Sequence, residues 1–260
     1  QRVIVQPVAA PRNLAALERV IRERVVNILD NLPVGEPFNW VECVSIELTT
    51  QMLAILFDFT FDERHKLTRW SDVATATSRS GIVESEDQRR TELYECLDYF
   101  TRLRNERINK PGGNDLLSML AHGEATRNMA PQEFLGNILL LIVGGNDTTR
   151  NSISGGVLAM NKFPEQLERL RNDPTAIPNA VSEIIRWQTP LAFMRRTAKE
   201  DVELNGQTIR AGDRVLMWYV SGNRDESVFD NAHALDITRK NARQHLSFGF
   251  GIHRCMGNRV

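Results

Sequence analysis

The chain has 260 residues, 42% of them apolar, and its 32 Lys and Arg against 33 Asp and Glu give a formal charge of -1. This apolar fraction is enough to bury a substantial core, so the composition argues against a disordered chain. The balanced charge argues against a nucleic-acid-binding protein or a strongly basic membrane surface, and favours small molecules and other proteins as partners.

Residues 1 to about 190 are predicted to form helices, because apolar residues recur three and four positions apart, as at Leu93, Leu97, Phe100 and Leu103. Breaks are expected at 33–35, 80–81 and 111–114, where Gly and Pro interrupt the pattern. After the last break, Asn114 or Asp115 is predicted to cap the next helix.

A long helix is predicted from Pro131 to about Lys162, ended by Pro164. At 1.5 Å per residue, its ~31 residues would make a rod of about 46 Å. Residues 138–143 are apolar on every side, so we expect the helix to run through the interior. This run is far shorter than the roughly 20 residues that span a bilayer, so no membrane span is expected.

The pattern changes after Pro190. Residues 202–204 and 207–209, separated by Asn205-Gly206, predict a hairpin, and 214–220 is a further strand candidate. Residues 221–244 have no regular period, and a long irregular segment inside a domain is usually functional.

The two chain ends indicate how much of a domain is present, and the cysteine spacing indicates the cellular location. The chain starts without Met and stops where a helix is expected to begin, so we interpret 1–260 as a single partial domain. Its helix-rich part is 1–190, and its β and irregular part is 191–260. Cys43, Cys96 and Cys255 show neither a disulfide nor a zinc spacing, and no signal peptide is visible, which favours a cytoplasmic location.

The strongest chemical signal is FGFGIHRCMG at 248–257. Two glycines before Cys255 allow a tight backbone path, and Gly257 lets a flat ligand lie close to the chain. A cysteine at a helix start is favoured as thiolate, the form that binds metals. The alternative is an inert buried cysteine in a Gly-rich turn.

These ten residues resemble the haem-binding signature FxxGx[HR]xCxG of the cytochrome P-450 family at every specified position. The resemblance implies a mainly α fold with small β regions, a long central helix and a loop carrying the cysteine ligand. It assigns Cys255 as axial iron ligand of haem b (heme b), with His253, Phe248 and Gly257 at the cofactor. An exposed loop histidine is the alternative for His253.

A second signal, GGNDTT at 144–149, lies midway along the predicted long helix. Two glycines cost about 1 kcal/mol each inside a helix, and a buried Asp costs more unless it is paired. The family motif [AG]Gx[DE]T[TS] implies that Gly145 opens a groove for O2, that Thr148 holds oxygen and its water, and that Asp147 relays protons. A helix kink or a seam of small residues is the alternative.

A third signal, Glu183-Ile184-Ile185-Arg186, matches the ExxR pair of the family, whose role is structural. We expect Arg239 to be the third partner, although 231–234 (NAHA) departs from relatives that carry Pro and Arg there. An exposed ion pair is the alternative. The resemblance also assigns Arg196 and Arg2 to the haem propionates, with a plain surface charge as the alternative for Arg196.

The amino-acid sequences of 141–151 and 250–258 resemble those of the bacterial branch of the family that hydroxylates terminal carbons of medium-chain alkanes and fatty acids. Leu140, Leu141 and 191–194 offer an apolar lining, or are plain core. The resemblance implies a monooxygenase that uses O2 and receives electrons from NADH through a ferredoxin reductase and an iron–sulfur ferredoxin. A peroxide-driven haem-thiolate enzyme and a non-catalytic haem-based sensor are the alternatives.

Overall fold

The computed structural model describes residues 2–77 and 79–258. They fall into two compact units, one of residues 2–77, 79–150 and 256–258 and one of residues 151–255. The fold is mainly helical with two small sheets, which confirms the predicted class. The expectation of one partial domain stays a prediction. Among the described residues, no helix is both long enough and apolar enough to cross a bilayer.

Helices make up the first unit. They are α1 (Arg2–Val5), α2 (Pro11–Asp30), α3 (Glu47–Phe57), α4 (His65–Thr75), α5 (Glu86–Ile108), α6 (Leu116–His122) and the start of α7 (Pro131–Lys162). A π-helical turn, Val41–Ile46, leads directly into α3. Asp115 caps α6, because its carboxylate accepts a hydrogen bond from the Ser118 N–H at 2.8 Å.

The core of the first unit lies between α3, α4, α5, α6 and α7. The periodic residues of α5 face it as predicted, since Leu97, Phe100 and Leu103 are buried. Phe57 of α3 meets Phe100 edge-on, with ring centroids 5.4 Å apart.

Helix α7 has the predicted bounds, Pro131 to Lys162, but not the predicted burial. Phe134, Ile138 and Ile142, each four residues apart, are buried in the core. On another face, Leu140 is 72% exposed, and Gly136 and Gly144, four residues to either side, are exposed too. The prediction that residues 138–143 lie in the interior therefore holds for Ile138 and Ile142 but not for Leu140, because an apolar side chain on a helix is buried only where another element packs against it.

Among the described residues, the second unit holds the end of α7, the remaining helices and all four strands. These are α8 (Pro164–Asn172), α9 (Ile177–Gln188), α10 (Tyr219–Gly222), β1 (Phe193–Thr197), β2 (Val202–Leu204), β3 (Gln207–Ile209) and β4 (Arg214–Trp218). A small core is formed by Ala159, Ala180, Trp187, Leu235 and Ile237.

Both sheets are antiparallel pairs, β2 with β3 and β1 with β4. The predicted hairpin is confirmed, with Asn205 (φ 50°) and Gly206 (φ 75°) in the left-handed region that its tight turn requires. Strand β4 ends at Trp218 rather than at Val220, because Tyr219 begins α10. The sequence pattern did not reveal β1, whose Phe193 lies opposite Trp218.

Candidate functional site

The loop that carries Cys255 is shaped by its two glycines. Gly249 and Gly251 both have φ +68°, in the region that side-chain-bearing residues avoid. A Cβ at Gly249 would also lie 3.2 Å from the Tyr219 hydroxyl oxygen. The loop is closed by the Cys255 N–H, which donates to the Phe248 carbonyl oxygen at 2.8 Å.

Cys255 is exposed, so the alternative of a buried cysteine does not describe it. Cys96 is the contrasting thiol, because it is fully buried and burial raises its pKa well above the usual range. The predicted helix start at Cys255 is not seen in the described residues. A 3-10 turn, Gly251–His253, precedes the cysteine, 256–258 form a turn that includes Gly257, and 259–260 lie outside the described residues.

The cationic candidates for carboxylate binding lie in different places. Arg196 lies on β1 and is half-buried, and its guanidinium donates to the Arg195 carbonyl oxygen at 3.0 Å. Within 2–77 and 79–258, no carboxylate forms an ion pair with it. His253 is exposed in the 3-10 turn, as its alternative reading also requires. Arg2 is exposed at the start of α1, in the first unit.

The donor set of the second unit fits a haem group. An exposed thiol is the soft anionic ligand that iron accepts in haem-thiolate proteins. Phe250 and Ile252, both 86% exposed on the same loop, offer apolar surface to a flat ring. The guanidinium of Arg196, which has no carboxylate partner among the described residues, suits a propionate.

The two glycines of α7 have different surroundings. A Cβ at Gly145 would lie 2.7 Å from the Leu53 Cδ2 of α3, whereas a Cβ at Gly144 would meet nothing within 4 Å. Gly145 therefore forms a close packing contact, the alternative interpretation of this motif, and its assignment to the cofactor stays a prediction. Thr148 is one turn after Gly144, and its hydroxyl donates to the Gly144 carbonyl oxygen at 3.0 Å.

Asp147 is held by a polar network within the first unit. Its carboxylate accepts from the Ser71 hydroxyl at 3.0 Å and pairs with the Arg150 guanidinium at 3.1 Å. Arg150 also pairs with Asp72 of α4 at 3.3 Å. Burial raises the pKa of Asp147, while Arg150 and the Ser71 hydrogen bond oppose that rise.

Glu183, Arg186 and Arg239 meet in the second unit. Both side chains of the Glu183–Arg186 pair are fully buried, with N···O distances of 2.7 and 2.8 Å, so the alternative of an exposed pair is wrong. The Arg239 Nε lies 3.1 Å from both carboxylate oxygens of Glu183. The departure at 231–234 is compatible with this cluster, because Arg186 uses backbone carbonyl oxygens there, those of Ala232 and Ala234.

Sequence reasoning missed two groups beside this cluster. Asn223 is fully buried in the irregular segment, where no periodicity signals burial. His245 lies at the start of the cysteine loop, and burial, with help from the charges of Arg254 and Arg186, lowers its pKa to about 4. Its Nδ1 accepts a hydrogen bond from the Ser247 N–H at 3.2 Å, which requires a neutral ring.

Comparisons of this chain with a family model, with solved structures and with curated proteins agree on one family. The cytochrome P-450 family model matches residues 16–260. Among solved structures, the cytochrome P-450-153 from Novosphingobium aromaticivorans is similar, with TM-score 0.91 and 51% identity over 100% of this chain and 63% of that one.

Two curated relatives are more distant. Linalool 8-monooxygenase of Pseudomonas putida is 36% identical over 100% of this chain and 64% of its own length. The methyl-branched lipid omega-hydroxylase of Mycobacterium bovis is 33% identical over 98% of this chain and 61% of its own length. The chain thus spans somewhat less than two thirds of these relatives, and it belongs to the cytochrome P-450 family.

Proposed function

We propose that this chain is the haem-binding part of a monooxygenase that inserts one oxygen atom of O2 into a C–H bond of an apolar substrate. The observation that carries the proposal is the exposed Cys255 thiol on a loop shaped by two left-handed glycines, in a sequence that matches the family signature. Overall, the substrate R–H, O2, two electrons and two protons give R–OH and water.

The proposed haem ligands follow the family resemblance. Cys255 binds the iron, Arg196 and His253 bind propionates, and Arg2 is a further propionate candidate. When bound, haem b with a thiolate ligand supplies the O–O cleavage that the reaction needs. Phe248 and Gly257 border the cysteine in sequence and are proposed to contact the ring.

Protons are proposed to pass through Asp147 and Thr148. The raised pKa of Asp147 brings its carboxyl closer to a proton donor than an ordinary aspartate. The Thr148 hydroxyl donates to the Gly144 carbonyl oxygen, and a hydroxyl group can both donate and accept hydrogen bonds. Thr148 can therefore hold a water molecule or O2 by accepting a hydrogen bond, or by donating its own hydroxyl hydrogen to the bound molecule instead of to Gly144.

The finer substrate proposal is terminal hydroxylation of medium-chain alkanes or fatty acids. Support comes from a relative named as an omega-hydroxylase of a lipid and from another named for oxidation of linalool. Phe193 and Met194 of the second unit are exposed apolar side chains suited to such a substrate, and Leu140 of the first unit is exposed as well. Leu141 is different, since it packs against the core of the first unit.

Electrons are proposed to come from NADH through a ferredoxin reductase and an iron–sulfur ferredoxin. Arg254 is exposed next to Cys255 and would attract an acidic ferredoxin. An Arg254→Glu variant should lose the salt-dependent part of ferredoxin binding, and unchanged kinetics would count against this docking face.

The deciding experiment uses the natural protein that carries this sequence. We expect the reduced protein with carbon monoxide to give a thiolate-type difference band, which Cys255→Ala should abolish. Alkanes and fatty acids of graded length should then be supplied with NADH, ferredoxin and reductase, and the products compared with those formed from peroxide. A missing thiolate band would refute the haem assignment; turnover with peroxide alone would favour the peroxide-driven alternative; and ligand binding without product would favour a sensor.

A further inference from the structure

Asn223 connects the buried ionic cluster to the loop of the proposed iron ligand. Its carboxamide nitrogen donates to the Thr189 hydroxyl and to the Ser247 hydroxyl, both at 2.9 Å. Its carboxamide oxygen accepts from the Leu246 N–H at 2.6 Å. Its backbone carbonyl oxygen accepts from Arg186 at 2.7 Å, so the residue is bonded on both sides.

From Asn223 the connection to Cys255 is short. Leu246 and Ser247 directly precede Phe248, whose carbonyl oxygen accepts the Cys255 N–H. The Leu246 carbonyl oxygen in turn accepts the Gly249 N–H at 2.7 Å. Asn223 therefore holds residues 246–248, the segment of the loop to which the Cys255 backbone is hydrogen-bonded.

The hydrogen-bond pattern at this position requires an amide. The Thr189 hydroxyl already donates to the Arg186 carbonyl oxygen at 2.7 Å, and the Ser247 hydroxyl to the Ile185 carbonyl oxygen at 3.0 Å. Both hydroxyl hydrogens are therefore used, and both oxygens can only accept from residue 223. Since Leu246 also needs an acceptor, the side chain must donate twice and accept once, which Asn does and Asp cannot.

We infer that Asn223 is a positioning residue for Cys255, coupling the Glu183–Arg186–Arg239 cluster to the direction in which the thiol points. The inference rests on the proposed function for its link to haem. The loop contacts that carry it lie wholly within the second unit.

The test compares Asn223→Asp with Asn179→Asp. Asn179 is a matched control, because its amide donates to the carbonyl oxygens of Ile237 and Arg239 and makes no bond to the cysteine loop. In the purified protein as isolated, amide hydrogen exchange at 246–255 should be at least roughly tenfold faster in Asn223→Asp, the factor for about 1.4 kcal/mol, and unchanged in Asn179→Asp. In the haem-loaded protein, Asn223→Asp should reduce the thiolate fraction of the carbon monoxide band and shift the reduction potential.

Three outcomes separate the possibilities. If the wild type itself lacks the thiolate band, the proposed function fails, while the exchange result still decides the loop contact. If the wild type has the band, and if Asn223→Asp and Asn179→Asp both show the wild-type rate of amide exchange at 246–255 and the wild-type reduction potential, Asn223 has no positioning role. Should Asn223→Asp fail to fold, Ser247→Ala removes one of the same bonds and must give a smaller change in the same direction; no change there would overturn the inference.

Discussion

At the scale of single residues, the burial of a side chain and the charges near it decide its protonation state. His245 is held neutral, with its pKa lowered from 6.5 to about 4, mainly because burial disfavours the charged ring. The sequence around it shows only a histidine three residues before the signature. Its burial and the nearby guanidiniums of Arg254 and Arg186 come from the fold.

This depressed pKa predicts an acid-sensitive stability. Above pH 6.5 the ring is neutral in both states, so the full stability is present. As pH falls from 6.5 toward 4, the unfolded chain binds a proton that the folded chain does not, and the free energy of unfolding decreases, on the order of 2 kcal/mol for a partly exposed ring.

The measurement is the free energy of unfolding by denaturant at several pH values. In a His245→Gln variant this part of the pH dependence should vanish, leaving only the loss due to carboxylates at lower pH. Parallel curves for the variant and wild type between pH 4 and 6.5 would show that His245 does not titrate as described.

At the scale of elements, α7 shows why two adjacent glycines are not equivalent. Gly145 faces Leu53, a core residue of α3 that is only 2% exposed, while Gly144 faces open space. Neighbouring positions on a helix point about 100° apart, so one glycine is a packing contact and the other is not.

Alanine substitutions should therefore act in opposite directions. Gly144→Ala should stabilise by up to about 1 kcal/mol through helix propensity. Gly145→Ala should destabilise by about 1–3 kcal/mol, because the added methyl overpacks against Leu53. Thermal and denaturant unfolding of the two variants measures the difference, and equal effects would contradict the packing contact.

Glu183 joins α9 to the irregular segment, and its loss should be costly. Glu183→Gln leaves the buried guanidiniums of Arg186 and Arg239 without their anion, which predicts a loss of about 3–5 kcal/mol. Glu168→Gln is the matched control, since Glu168 pairs with Arg171 at the same three-residue spacing but with both side chains more than half exposed. That change should cost less than about 1 kcal/mol by the same unfolding measurement. Similar costs for both would mean that burial does not strengthen the cluster.

At the scale of the whole molecule, the proposed reaction needs proton delivery matched to electron supply. Thr148→Ala in the natural protein should lower the product formed per NADH oxidised, because electrons would then be lost to reduced oxygen species. Thr149→Ala, at the adjacent exposed position, serves as control. Product, NADH and peroxide are measured together, and an unchanged product yield in Thr148→Ala would refute the relay.

The helical class, the bounds of α7, the Asn205-Gly206 hairpin and the family signature around Cys255 follow from the sequence by itself. These features depend on residues close together in the chain, where periodicity, turn chemistry and motif spacing act directly. Burial of the Glu183 cluster, by contrast, could be expected only through the family resemblance.

Only the tertiary structure decided which face of α7 is covered, how Asp147 is paired, and what Asn223 holds. Asp147 meets Ser71 across 76 residues of sequence, and Asn223 meets Thr189 across 34. Such contacts join elements that are distant along the chain, so no local pattern encodes them. Their energies depend on burial, which a side chain acquires only when those elements pack together.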